Sequence, residues 1–169
     1  MVRRFHPALM FALAAMLATP LAAKDSLGVF SGWAAFRDPS VPRCYAIAKP
    51  QEPRRESEKR RDYAPFASVG TWPKRGVRNQ LHVRLSRQLA KQARVTLAIG
   101  SKRFELAGGG GDAWAQDKAM DAAVIAAMRS AETMSVSARD QRGASFTDRY
   151  ALKGAATAID AATLGCSGK

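Results

Sequence analysis

The sequence predicts a mainly β, α+β domain: an antiparallel, β-sandwich-like sheet with two short helices in the C-terminal half. Three observations predict it. Apolar and polar residues alternate with period two in Leu81-His82-Val83-Arg84-Leu85-Ser86 and again over Thr133–Ala138, the pattern of half-buried strands. Val95–Leu106 reads as two short strands about a Gly100-Ser101 turn, a Gly-first hairpin loop. A helical stripe (Met120, Val124, Met128) and an alanine-rich run, Ala155–Leu164, come late in the chain, so strands precede helices.

The elements follow in order. Met1–Ala8 carries Arg3 and Arg4 and no acid, Leu9–Ala18 is apolar, and small residues lead to Ala23. That layout is a secretory signal peptide over residues 1–23; its apolar run is shorter than the roughly 20 residues that span a bilayer. Cleavage after Ala23 leaves one domain, 24–169, with no further membrane segment. Leu27–Phe30 and Gly32–Phe36 read as strands, Asp38–Pro42 as a turn, and Arg43–Ala48 as a third strand. Residues 50–62 form a charged, proline-bearing loop,. Tyr63–Trp72 is an aromatic strand. In the strand over Leu81–Ser86, Leu81, Val83 and Leu85 face inward while His82 and Arg84 face outward,. The hairpin pairs Leu97 with Phe104 and Val95 with Leu106. Gly108–Gly111 reads as a flexible connector, and Asp117 as the N-cap of a helix through Ser130,. Met134 and Val136 point inward, Asp140–Gly143 turns, and Phe146, Tyr150 and Leu152 share a face. The last helix, with Ile159 inward, stops at Gly165,.

Composition excludes several classes. The chain has 169 residues, 47% of them hydrophobic, enough for a packed core rather than a disordered polyampholyte,. Two cysteines cannot build a cysteine-rich scaffold or a four-cysteine zinc site,. In an exported chain, Cys44 and Cys166 are expected to form a structural disulfide, since their spacing is unlike that of a redox catalyst,. The net charge is +13, unevenly placed: residues 63–104 hold nine basic side chains and no acid, whereas residues 105–169 hold seven basic and eight acidic ones.

No catalytic residue, cofactor or metal site emerges. His82 is the one histidine after the leader; it sits in no nucleophile elbow and has no acid near it in sequence,. Gly108–Gly111 lacks the Lys-Ser/Thr of a phosphate loop,. Asp140 and Asp148 flank a turn and are expected to satisfy it and a nearby arginine, Arg139 or Arg142 for Asp148. Asp148 and Trp114 are read as structural. The acid-free stretch offers Arg78, His82, Arg84, Arg87, Lys91 and Arg94 as a basic face for an anionic envelope or host surface,. Genomic nucleic acid is not an expected partner of an exported chain, and no aromatic residue interleaves the bases between Arg75 and Lys102,. Two rival readings are a small hydrolase with carboxylates gathered from separate loops, and an enzyme inhibitor presenting the loop 50–62.

Three stretches resemble the invasion-associated locus B proteins, small exported bacterial proteins. They are Val95–Leu106 with its Ile99-Gly100 turn and Phe104; Asp112-Ala113-Trp114 leading into Asp121–Ser130 with Met128-Arg129; and Arg142-Gly143 through Asp148, Tyr150, Leu152 and Gly154. The likeness covers about residues 95–160. It implies a β-rich, sandwich-like domain, periplasmic or secreted, associated in some members with entry into host cells. It supplies no reaction and no active-site residue.

Overall fold

Strands with small inward side chains let a helix lie close to the sheet, and this chain places alanines where its last helix crosses. The computed structural model describes residues 23–51 and 61–167. The expected leader up to residue 22 and residues 52–60 of the charged loop therefore lie outside the described residues.

Ten strands form one antiparallel sheet: β1 (Asp25–Phe30), β2 (Trp33–Asp38), β3 (Arg43–Ala48), β4 (Phe66–Trp72), β5 (Val77–Arg84), β6 (Val95–Ile99), β7 (Lys102–Gly109), β8 (Asp112–Trp114), β9 (Thr133–Arg139) and β10 (Ser145–Ala151). Their spatial order is β1-β2-β3-β4-β5-β8-β7-β6-β9-β10. The helices are α1 (Lys118–Ser130) and α2 (Ala155–Gly165). This is the mainly antiparallel β fold, with two late helices, that the sequence predicts. The layering comes from one sheet rather than two. Its coiling carries β10 back to the β2–β3 side, where Trp33 Nε1 donates to Ala151 O at 2.9 Å and Gln51 N to Arg149 O at 2.7 Å. Those bonds occupy carbonyls on the free edge of β10, an edge otherwise open to pairing. Among the described residues no helix is long and apolar enough to cross a membrane.

Register fixes the core. Trp33, Ala48, Ala67, Val83 and Ala113 stand opposite one another across five strands, and Ala35, Ala46, Val69 and Leu81 form the next row. All are buried. α2 lays Ala155, Ala158, Ile159 and Ala162 into the same core, and α1 adds Val124, Ile125 and Met128. α1 starts as expected: the Asp117 carboxylate accepts from Met120 N at 2.7 Å, satisfying one of the free first-turn amides. Asp121 lies on the buried stripe and accepts from Leu81 N at 2.8 Å, joining α1 to β5. Burial raises its pKa, and the Leu81 amide partly offsets the rise.

The hairpin β6–β7 has the expected register, Leu97 opposite Phe104 and Val95 opposite Leu106. Gly100, at φ 55°, takes the left-handed turn position that glycine adopts without a Cβ clash,. The glycine run is a correction. Gly108–Gly111 is not a flexible connector: Gly108 and Gly109 end β7, and Gly110-Gly111 turn into β8. A Cβ on Gly108 would meet Val95 Cγ2 at 2.6 Å, and one on Gly111 would strike the Tyr63 ring. Glycine is needed there for close packing. The carbonyls of Gly110 and Gly111 also accept from Leu89 N and Leu85 N. The disulfide joins Cys44 of β3 to Cys166 just past α2, with Cα atoms 5.8 Å apart across 122 positions.

Candidate functional site

Pairing rather than position in the chain decides which bases stay free. Arg87 is buried, and its Nη1 donates to Asp140 Oδ2 at 2.8 Å. That bond, with the Arg142 and Ala144 amides, holds Asp140 below the usual carboxylate range. Arg94 Nε lies 3.3 Å from Glu105 Oε2. Arg84 Nη1 contacts Asp112 Oδ2, and its guanidinium lies 4.1 Å over the Tyr63 ring. His82 does have an acid beside it: its Nε2 is 2.8 Å from Asp112 Oδ1, thirty positions on in the chain. Lys91 and Arg78 are exposed and form no ion pair among the described residues. Three of the nine bases of the acid-free stretch, Arg84, Arg87 and Arg94, thus meet carboxylates of the following third, which β7, β8 and the turn after β9 bring beside them.

Asp148 differs from expectation in its partners. Asp148 is buried on β10, but neither Arg139 nor Arg142 partners it. Its Oδ2 accepts from Ser86 N at 2.8 Å, and Arg61 and Arg87 supply the nearby positive charge. Arg139 Nη1 instead donates to Gly143 O across the turn. Burial raises the Asp148 pKa; Ser86 and the two arginines work against that rise. Trp114, 38% exposed on β8, stacks on His82 with centroids 5.2 Å apart and planes inclined by 13°. Phe66 meets the same imidazole edge-on at 5.4 Å. The aromatic neighbours that the stretch 75–102 lacks in sequence arrive from β4, β8 and the segment before β4.

A second group of bases, drawn from separate elements, gathers at the disulfide end. Arg37 and Cys44 are cross-strand partners where the β2–β3 hairpin closes, and Asp38 pairs with Arg43 one step further. A 3-10 turn, Pro73–Arg75, with proline at its start and Gly76 left-handed at its end, presents Lys74 beside them. The bond to Cys166 then brings the end of α2 over the strand ends. Two adjoining clefts result, sharing Pro73 and Cys166. One, about 420 Å³, has Arg37, Arg43 and Lys74 on its wall, with Pro39 and Pro42 as apolar sides. The other, about 280 Å³, has Arg78. Among the described residues, four cations line this end against one acid, Asp38. That carboxylate is already engaged, with Ser40 Oγ at 2.6 Å, Arg43 Nη2 at 3.9 Å and Lys24 Nζ at 4.0 Å. The Ser40 bond, the Val41 amide and the two cations hold its pKa down, so it remains ionised. Arg43 also lies 4.5 Å over the Tyr45 ring, while its buried Nε has no hydrogen-bond partner.

Chemically this end is a positively charged, half-apolar recess with a fixed rim. It attracts anions by Coulomb force that falls with salt. It presents neither a histidine nor a free thiol as nucleophile or base, since Cys166 is bonded. Arg78 is the one expected surface residue that it contains; Arg37, Arg43 and Lys74 were not legible as a site, because β2, β3 and the turn after β4 contribute them separately. Comparison with family models, curated proteins and solved structures finds no match for the chain.

Proposed function

We propose that this is an exported, non-enzymatic binding protein, periplasmic or secreted and of the invasion-associated locus B type, that contacts an anionic envelope or host surface. The contact is made through the disulfide end, which includes Arg78, rather than along residues 82–94. The observation that carries this reading is the convergence of Arg37, Arg43, Lys74 and Arg78 on adjoining clefts that share Pro73 and Cys166, against the single, already engaged Asp38. Lipid phosphates and acidic glycans share the chemistry that such a recess recognises: negative charge on a body with some apolar surface. Export is supported by the basic, apolar and small-residue order of the first 23 positions,. A disulfide, which persists in oxidising compartments, supports it too,.

A protein of charge +13 clings to any anionic matrix, so the test must hold charge constant. Arg37→Gln, Lys74→Gln and Arg78→Gln together remove three charges from the disulfide end. Lys91→Gln, Lys102→Gln and Arg103→Gln remove three from elsewhere on the surface. On vesicles containing phosphatidylglycerol and on a phosphorylated-glycan matrix, the first variant is expected to elute at clearly lower salt than the second. Equal loss in both would reduce the attraction to net charge and overturn the reading.

A further inference from the structure

On the outer face of the sheet, Ile47, Ser68, His82, Trp114 and Ala107 stand opposite one another from β3 to β7. Neighbouring strands are about 4.8 Å apart and side chains stand off the sheet, so the indole of Trp114 has one neighbour on each side. His82 covers one indole face. On the other side stands Ala107, exposed and with only a methyl group; next to it Gly109, opposite Asp112, has open space where a Cβ would lie. Trp114, 38% exposed, thus stands beside a shelf of small residues on β7. Beside it Asp112 holds His82 and Arg84, so the polar groups next to the ring nearly cancel in charge. A carboxylate and a guanidinium still have hydrogen-bonding capacity beyond these bonds.

We propose that Trp114 and this shelf form a binding platform for a neutral saccharide. A pyranose lays its C–H face on the indole, seated over Ala107 and Gly109, and turns its hydroxyls to Asp112 and Arg84. An aromatic face joined to balanced donors and acceptors suits an uncharged ring that is apolar on its faces and hydroxylated at its edge. The Asp112 carboxylate disfavours an anion at the same place, so this platform is separate from the cationic end and does not depend on it.

Titrating ¹⁵N-labelled protein with cellotetraose, maltotetraose and chitotetraose, with AMP as a nucleobase control, tests the proposal by amide and indole NMR shifts. At least one tetrasaccharide is expected to shift Trp114, Ala107 and Gly109 at concentrations up to about 10 mM. Trp114→Ala is expected to weaken that binding by about tenfold or more, and Ala107→Leu, which fills the shelf and leaves the indole in place, by a similar factor. The Arg37, Lys74, Arg78 variant is expected to bind as the parent does. The proposal is overturned by no shift with any of the three sugars, by binding that survives both substitutions, or by shifts with AMP alone.

Discussion

Asp148 shows how one buried carboxylate serves this fold. Its acceptor oxygen holds the Ser86 amide where the chain leaves β5, so Asp148→Ala strands that donor. The expected cost is about 1–3 kcal/mol, read as a lower melting temperature; an unchanged melt would show that the contact contributes nothing. Asp148→Asn keeps an acceptor and removes the charge. Because burial raises the folded-state pKa of Asp148 above 3.8, the proton stabilises the fold. That contribution is complete below the ordinary value and is lost as pH rises through the raised one. The parent is therefore expected to lose stability over that window relative to Asp148→Asn in paired denaturation curves. Parallel curves would argue against it. Asp140 carries the opposite sign: its lowered pKa gives stability that is present above about 4 and is lost on acidification,.

Among the elements, α2 depends most on small residues beneath it. Ala46 is fully buried between Ala35 and Val69, on the strand face that α2 covers. Ala46→Leu therefore pushes the helix off the sheet, at an expected cost of about 1–3 kcal/mol. Ala34→Leu, in the adjoining β2 position on the opposite face and half-buried there, is expected to change the thermal midpoint far less. Equal effects would mean that α2 does not rest on Ala46. The same spacing argument explains β8: three residues suffice for a strand because Gly108 and Gly111 let Val95 and Tyr63 pack closely beside it.

For the whole molecule, the disulfide closes most of the domain into one loop. Joining residues 122 positions apart is worth about 4–5 kcal/mol in the chain-entropy account, less any strain. Cys44→Ala with Cys166→Ala is expected to lower the unfolding free energy read from urea curves by that order, and to weaken anion retention as well, since Cys166 borders both cationic clefts,. Lower stability with retention unchanged would separate the covalent tie from the recess beside it.

The amino-acid order by itself determined the element types, the hairpin register about Gly100-Ser101, the Asp117 cap and the cysteine pair. These depend on neighbours a few residues apart, or on there being one possible partner. Asp121 was missed, although its helical spacing with Val124 and Met128 carries the signal that would have placed an acid on the buried stripe,. What the tertiary structure alone decided is which charge meets which. His82 reaches Asp112 across 30 positions, Arg87 reaches Asp140 across 53, and Ser86 reaches Asp148 across 62. The insertion of β8 between β5 and β7, with the coiling of one sheet onto its own edge, sets those meetings. Strand order has no local signature, so the sequence does not show that Arg84, Arg87 and Arg94 meet acids while Arg37, Arg43, Lys74 and Arg78 come together beside the disulfide.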